Sequence, residues 1–351
     1  MATLIRTLTT LLAFAGAPYA QSADPQSPAV STDTTVAIAT FRPPVPASID
    51  EPRFPEAYRR VGQEGWVQLT FMVSAQGEPY DVAIVDSAGG KRFEAAAIDA
   101  VGTWTFEPAR LSDRPIDAGM TYRIQFALSD NLTASTAFAS RFRRLMKDIE
   151  NGDQAGADRR LDELRKRDRN LYEEANLDLA AYYYFQKWGT AGQQYPPLRR
   201  ATAMHEGEGI LPDDLITSLL KSRFALEVQL NRFAEARSTI GVILEREQDP
   251  EVRARLDAAL AQIDALAATD QPIPVAGRIS DSSHYFHRLL RKRFHFQNID
   301  GDIAELRLHC DRDYVGFPFD DKLSYTLRDD LGEGGLRVIG TPGTTFTLVE
   351  G

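Results

Sequence analysis

The run Gly65-Trp66-Val67-Gln68-Leu69-Thr70-Phe71-Met72-Val73 constrains the fold more than any other stretch of the chain. Val67, Leu69, Phe71 and Val73 share one face of an extended strand, because side chains alternate at period two. A Gln76-Gly77 turn follows, and Val82 and Ile84 repeat the pattern, so the pair reads as an antiparallel hairpin with one buried face. Phe93, Ala96, Ala97, Ala100, Val101 and Trp104 then recur at helical spacing and make one apolar stripe suited to cover that face. A third strand alternates Met120, Tyr122, Ile124, Phe126 and Leu128 with Thr121, Arg123, Gln125 and Ala127. Residues 47–130 therefore read as a small α+β domain ordered strand, strand, helix, strand (β-β-α-β).

Its landmarks are Phe54-Pro55, Gly65, the Gly77 turn, Asp86-Ser87-Ala88-Gly89, the Phe93 to Trp104 helix and Phe106-Glu107-Pro108-Ala109. In this order and spacing the stretch resembles the TonB C-terminal domain family, the energy transducer TonB-like proteins. The resemblance implies an extended peptide, the TonB box of an outer-membrane receptor, added beside the third strand. Main-chain hydrogen bonds would supply affinity and alternate side chains selectivity. The matching edge is Thr121, Tyr122, Arg123, Ile124, Gln125 and Phe126, with Arg123 and Gln125 expected to face away from the helix and read the peptide. Ile124→Pro is expected to remove binding by deleting a ladder donor. A second contact is implied just before the Phe-Pro opening, at Glu51, Arg53 and Phe54, where Glu51 replaces a family Gln and adds a charge. Family domains also pair with themselves through the same edge, so a homodimer is a second implied partnership.

The start of the chain reads as an export signal over residues 1–22. Arg6 precedes an apolar stretch from Leu8 to Ala17, and Ala20-Gln21-Ser22 supplies small residues for cleavage. The stretch is short against the about 20 residues of a membrane span; an uncleaved inner-membrane anchor is the other reading. Energy transduction in the family needs a membrane helix carrying a His, and residues 1–20 contain none. Residues 23–46 are rich in Ser, Thr, Pro and Ala without periodicity, which reads as a disordered linker. Export and the TonB resemblance together point to a Gram-negative periplasm.

Residues 137–270 carry helical periodicity throughout. Breaks at Glu150-Asn151-Gly152-Asp153, Lys187-Trp188-Gly189 and Leu230-Asn231-Arg232-Phe233 recur at about 36 and about 43 residues, near the tetratricopeptide period. The stretch from Ala225 to Arg237 resembles the junction between the two helices of that repeat, and the other copies are degenerate. Pro196-Pro197 and Gly207-Glu208-Gly209 read as loops. The run Tyr182-Tyr183-Tyr184-Phe185 with Trp188 either lines a groove or, by the commoner use of large aromatics, fills helix-pair cores.

Residues 272–351 return to strands and read as a small all-β domain, an antiparallel sheet or barrel, of no recognised family. Phe294, Phe296 and Ile299 lead to Asp300-Gly301, a hairpin dipeptide. Leu306, Leu308 and Cys310 follow, then strands 335–339 and 345–349 joined through Thr341-Pro342-Gly343. His284, His287, His295 and His309 fall here near Cys310, but their spacing matches no metal-site pattern, and Cys310 is in phase with the apolar face.

No phosphate loop, nucleophile elbow or His-Glu-x-x-His occurs, and Asp320-Asp321 and Asp329-Asp330 sit in polar, turn-like contexts. No catalytic residue, metal or cofactor is expected. A net charge of −10 argues against nucleic acid as a partner. The reading is a multidomain TonB-like periplasmic binding protein in TonB-dependent transport, with an outer-membrane receptor peptide or another envelope protein as its partner. Two alternatives come from other classes. One is a helical-repeat scaffold whose TonB-type domain only oligomerises, and the other is a metal-dependent hydrolase in the last domain.

Overall fold

The computed structural model describes residues 41–128, 133–203 and 210–351. The export signal and most of the linker, residues 1–40, lie outside the described residues, as does Gly207-Glu208-Gly209. The first elements are β1 (Phe41–Arg42), β2 (Val45–Ser48) and a single helical turn, α1 (Glu56–Arg59). They are followed by β3 (Gly65–Val73), β4 (Pro79–Ala88) and α2 (Lys91–Val101). Three short strands, β5 (Thr105–Glu107), β6 (Ala109–Leu111) and β7 (Arg114–Ile116), lead into β8 (Ala118–Phe126). Phe41–Arg42 and Val45–Pro46, expected within a disordered linker, instead lie in strands: β1 pairs with β6 and β2 with β5. Edge pairing supplies the partners that composition alone does not reveal.

The main sheet runs β4-β3-β8, antiparallel throughout. Val67, Leu69, Phe71 and Val73 of β3 pack against Phe93, Ala97, Ala100 and Val101 of α2. Gly77, at φ +86, turns the hairpin and donates its N–H to Ser74 O at 2.8 Å. The expectation of one buried face is corrected here, because Trp66, Thr70 and Met72 on the other face of β3 are buried as well. Trp66 joins the core of the helical region, next to Leu171 and Ala175.

That region comprises α3 (Thr136–Asn151), α4 (Gln154–Arg165), α5 (Leu171–Trp188), α6 (Ala191–Ala201), α7 (Asp213–Gln229), α8 (Phe233–Arg246) and α9 (Pro250–Ala267). Left-handed Gly152 ends α3, Thr190 caps α6, and left-handed Asn231 separates α7 from α8. Pro196 and Pro197 lie inside α6 rather than in a loop. A proline costs about 3 kcal/mol or more in a helix interior, and burial of Tyr195, Pro197, Leu198 and Ala201 opposes that cost here. Tyr182 and Tyr184 sit in two separate cores, with Tyr183, Phe185 and Trp188 half-buried around them.

The last strands are β9 (Ile273–Arg278), β10 (His284–Arg288), β11 (Arg293–Asp300), β12 (Ile303–Cys310), β13 (Tyr314–Pro318), β14 (Ser324–Thr326), β15 (Gly334–Gly340) and β16 (Thr345–Glu350). They form two antiparallel sheets, β10-β15-β12-β13 and β14-β11-β16-β9. Phe294, Phe296, Leu306, Leu308, Leu336, Val338, Phe346 and Leu348 from both sheets share one core. Asp300-Gly301 is therefore not a hairpin turn: it carries the chain from one sheet to the other, as does Thr341-Pro342-Gly343. Gly301, at φ +110, serves such a corner as readily as a tight turn.

Candidate functional site

β8 is built from β3 outward. Its nine residues pair in register with β3, from Gly65 opposite Phe126 to Val73 opposite Ala118. Among the described residues no strand pairs with its other side. Met120, Tyr122, Ile124 and Phe126 turn toward α2 and join that core. Gly119, Thr121, Arg123 and Gln125 alternate onto the opposite face.

The direction of the main-chain groups follows from the register. Ser74 N–H donates to Glu78 O, so even-numbered β3 residues bond toward β4 and odd-numbered ones toward β8. Odd β3 residues pair with even β8 residues, so Tyr122, Ile124 and Phe126 spend their N–H and C=O groups on β3. The groups that face away from β3 belong to Thr121, Arg123 and Gln125. The expected effect of Ile124→Pro is corrected accordingly: that N–H belongs to the internal ladder, and Thr121 is the position to substitute.

The side chains divide differently from the expectation. Thr121 and Gln125 are exposed. Arg123 is half-buried, its guanidinium 5.6 Å from the centre of the Trp66 ring, in a cavity lined also by Asp86 and Arg199. It faces the interior of the molecule rather than an incoming chain. Glu51 and Arg53 are exposed, whereas Phe54 is a packing residue, 5.4 Å from the Phe93 ring and 5.9 Å from Phe126. Trp104 Nε1 donates to Asp50 O at 2.9 Å, and its ring lies 5.0 Å from Tyr122. Residues 50–54 are thus held alongside the 122–126 stretch of β8.

These observations coincide with a family comparison. Residues 50–128 match the family described as Gram-negative bacterial TonB protein C-terminal. The match is confined to these residues and leaves the helical region and the last strands outside it. The chain is similar to the solution structure of the Pseudomonas aeruginosa TonB C-terminal domain, with 26% identity and a TM-score of 0.23. That match covers 24% of this chain and 87% of the other. It is also similar to the TonB2 protein of Vibrio anguillarum, with 22% identity, a TM-score of 0.20, and coverage of 32% of this chain and 99% of that one. No curated protein matches the chain.

Sequence reasoning missed what holds the TonB-type sheet against the rest of the protein. Glu64 accepts the N–H groups of Leu128 at 2.7 Å and Leu171 at 3.0 Å, and Gln63 Oε1 accepts that of Arg169 at 2.8 Å. Asp86 pairs with Arg199 of α6 at 2.9 Å. Asp81 sits in a β4 bulge at φ +46 and reaches the last domain. There it pairs with Arg307, with Arg337 at 2.8 Å and with His309 at 2.9 Å. Burial pushes the Asp81 carboxyl upward, but His309, Arg337 and Arg307 outweigh it and hold the group well below the usual carboxylate range. Only the interruption of β4 alternation by Asp81 hinted at this.

The remaining candidates resolve as packing or as surface. Cys310 is buried beside Leu306 and Leu308, and burial pushes its thiol up to about 12. His287 Nε2 lies 2.9 Å from Glu350 Oε1. Asp320, Asp321, Asp329 and Asp330 are exposed. Among the described residues no cluster of His, Cys, Asp and Glu is placed to hold a metal ion, and no helix is long and apolar enough to cross a membrane.

Proposed function

We propose that this is a periplasmic binding protein that captures an extended peptide from an outer-membrane receptor or another envelope partner by adding it along β8. The observation that carries this reading is the one-sided pairing of β8 among the described residues. An added strand would bond to the outward main-chain groups of Thr121 and run beside its exposed side chain. Glu51 and Arg53, held beside the same stretch, would contribute one charge of each sign to selection.

The test is fluorescence anisotropy with a labelled receptor TonB-box peptide and the full chain. Thr121→Pro removes an outward N–H without touching the β3 ladder, so binding should fall while thermal stability holds. Thr121→Ala, which keeps the N–H, should bind nearly as well as the parent. Equal affinity of the proline variant and the parent would end the proposal.

A further inference from the structure

A second strand margin lies in a different sheet from β8. β9 is the outermost strand of its sheet, paired with β16 alone among the described residues. Ile279 N–H donates to Thr344 O and Gly343 N–H donates to Ile279 O, so odd-numbered residues here turn their main-chain groups inward. Even-numbered ones turn outward by the same alternation. Asn231 Nδ2 confirms the parity by capping Pro274 O at 2.8 Å. The N–H and C=O groups of Ala276 and Arg278 therefore face away from the sheet.

Ala276 and Arg278 line a groove of about 720 Å³, within the range of ligand-binding clefts. Its walls include β9 with the outer face of its sheet, residues 284–286 of β10, Tyr195 and Pro196 of α6, Leu230 and Arg232 at the α7–α8 junction, and Val85 of β4. Its charge is one-sided. Arg199, Arg232, Arg278 and His284 line it, and no Asp or Glu does among the described residues, in a chain with net charge −10. Asp86 already matches Arg199, and Glu235 matches Arg232. Arg278 is exposed and has no carboxylate partner among the described residues.

We propose that this groove takes an extended acidic peptide segment, whose main chain adds to β9 at Ala276 and Arg278 and whose carboxylate meets the Arg278 guanidinium. Apolar residues of the same segment would rest on Tyr195, Pro196 and Val85. The occupant is a peptide rather than a small amphiphile because an unpaired strand margin supplies main-chain groups that a hydrocarbon chain cannot use. The site is independent of the one at β8.

The probe is a short fluorescein-labelled peptide of alternating Glu and Val, titrated into the full chain, with a Lys and Val peptide as control. Saturable binding of the acidic peptide alone is expected. Ala276→Pro should weaken it about tenfold through the lost main-chain bond, while Thr121→Pro on β8 leaves it unchanged. Arg278→Glu should reverse the preference toward the Lys peptide. Equal binding of both peptides, no effect of Ala276→Pro in a folded variant, or a chain that dimerises through β9 and so excludes the peptide would each overturn the proposal. Dodecanoate binding equally to the parent and Ala276→Pro, in competition with the peptide, would overturn it in favour of a small amphiphile.

Discussion

Asp81→Asn tests whether a buried charge cluster clamps the TonB-type sheet to the last domain. The Asp81 side chain is 9% exposed and serves two guanidinium groups and the ring of His309, of which Arg337 is 7% exposed and His309 2%. Removing one member of a buried pair costs about 3–5 kcal/mol, since the remaining charge stays desolvated and uncompensated. Arg307 softens the loss, because it is 29% exposed and keeps Glu305 at 2.8 Å. Arg337 has no such second carboxylate among the described residues, so a cost near the lower end, about 3 kcal/mol, is expected. Asn tolerates the positive φ of position 81, which removes backbone strain as a competing cause.

The assay is urea unfolding followed by tryptophan fluorescence, to which Trp66 and Trp104 of the TonB-type region contribute. The companion variant is Asp81→Asn with Arg337→Met. Removing both partners of a buried pair is far less costly than removing one, so the double variant should recover most of the loss. A shift below about 1 kcal/mol for Asp81→Asn, or a double variant no better than the single, would refute the idea of a clamping charge cluster.

Other consequences are separately measurable. The folded state keeps Asp81 ionised to lower pH than the unfolded chain does, so its contribution is complete above about pH 4 and is lost as pH falls through the lower folded value; urea midpoints between neutrality and acid should fall more steeply for the parent than for Asp81→Asn. Phe93→Ala removes a fully buried ring stacked 4.6 Å from Phe126, and calorimetry should register a loss of about 3–5 kcal/mol. Gly77→Ala places a Cβ 2.0 Å from Phe106 O at a φ of +86, so it should cost more than the about 1–2 kcal/mol of left-handed strain alone and lower the melting temperature. Cys310, with its thiol pushed up by burial and then by Asp311 and Asp313, should resist Ellman's reagent at neutral pH until urea unfolds the chain.

Short-range pattern made much of this legible. Alternation in Gly65–Val73 and 120–126 named the strands, and the stripe from Phe93 to Val101 named the covering helix, because both are local records of which face is buried. Pairing was harder to read. Asp300-Gly301 has the chemistry of a tight turn, yet the same positive φ serves a corner, and only the core shared by Phe296 and Leu308 decides between them. Pro196-Pro197 looked like a break because propensity is local, whereas burial of Tyr195 and Leu198 is not. The outward turn of Thr121, and the inward turn of Ile124, required the register of two neighbouring strands. Arg123 was assigned to solvent because nothing in its own strand reports Trp66, two strands' worth of chain away, or the helices packed beyond it.

The covered face of the sheet explains why an edge carries the proposed binding. With α2 on one side of β3 and the helices and last domain on the other, both faces of β3 are covered among the described residues. Growth sideways has two directions. On β4, His284 Nε2 already sits 2.7 Å from Ile84 O, and Asp81 and Asp86 are drawn into pairs with Arg337 and Arg199. On β8, Gly119 approaches Cys310 O of the last domain at one end, where a Cβ would stand 2.9 Å away. This approach closes the Gly119 end of β8 to an added strand, so the proposed pairing begins at Thr121. Peptide recognition on β8 should be dominated by main-chain bonding over this short run, with selectivity confined to positions opposite Thr121 and Gln125. Substituting Gln125 should accordingly change which peptides bind, whereas Thr121→Pro should weaken all of them alike.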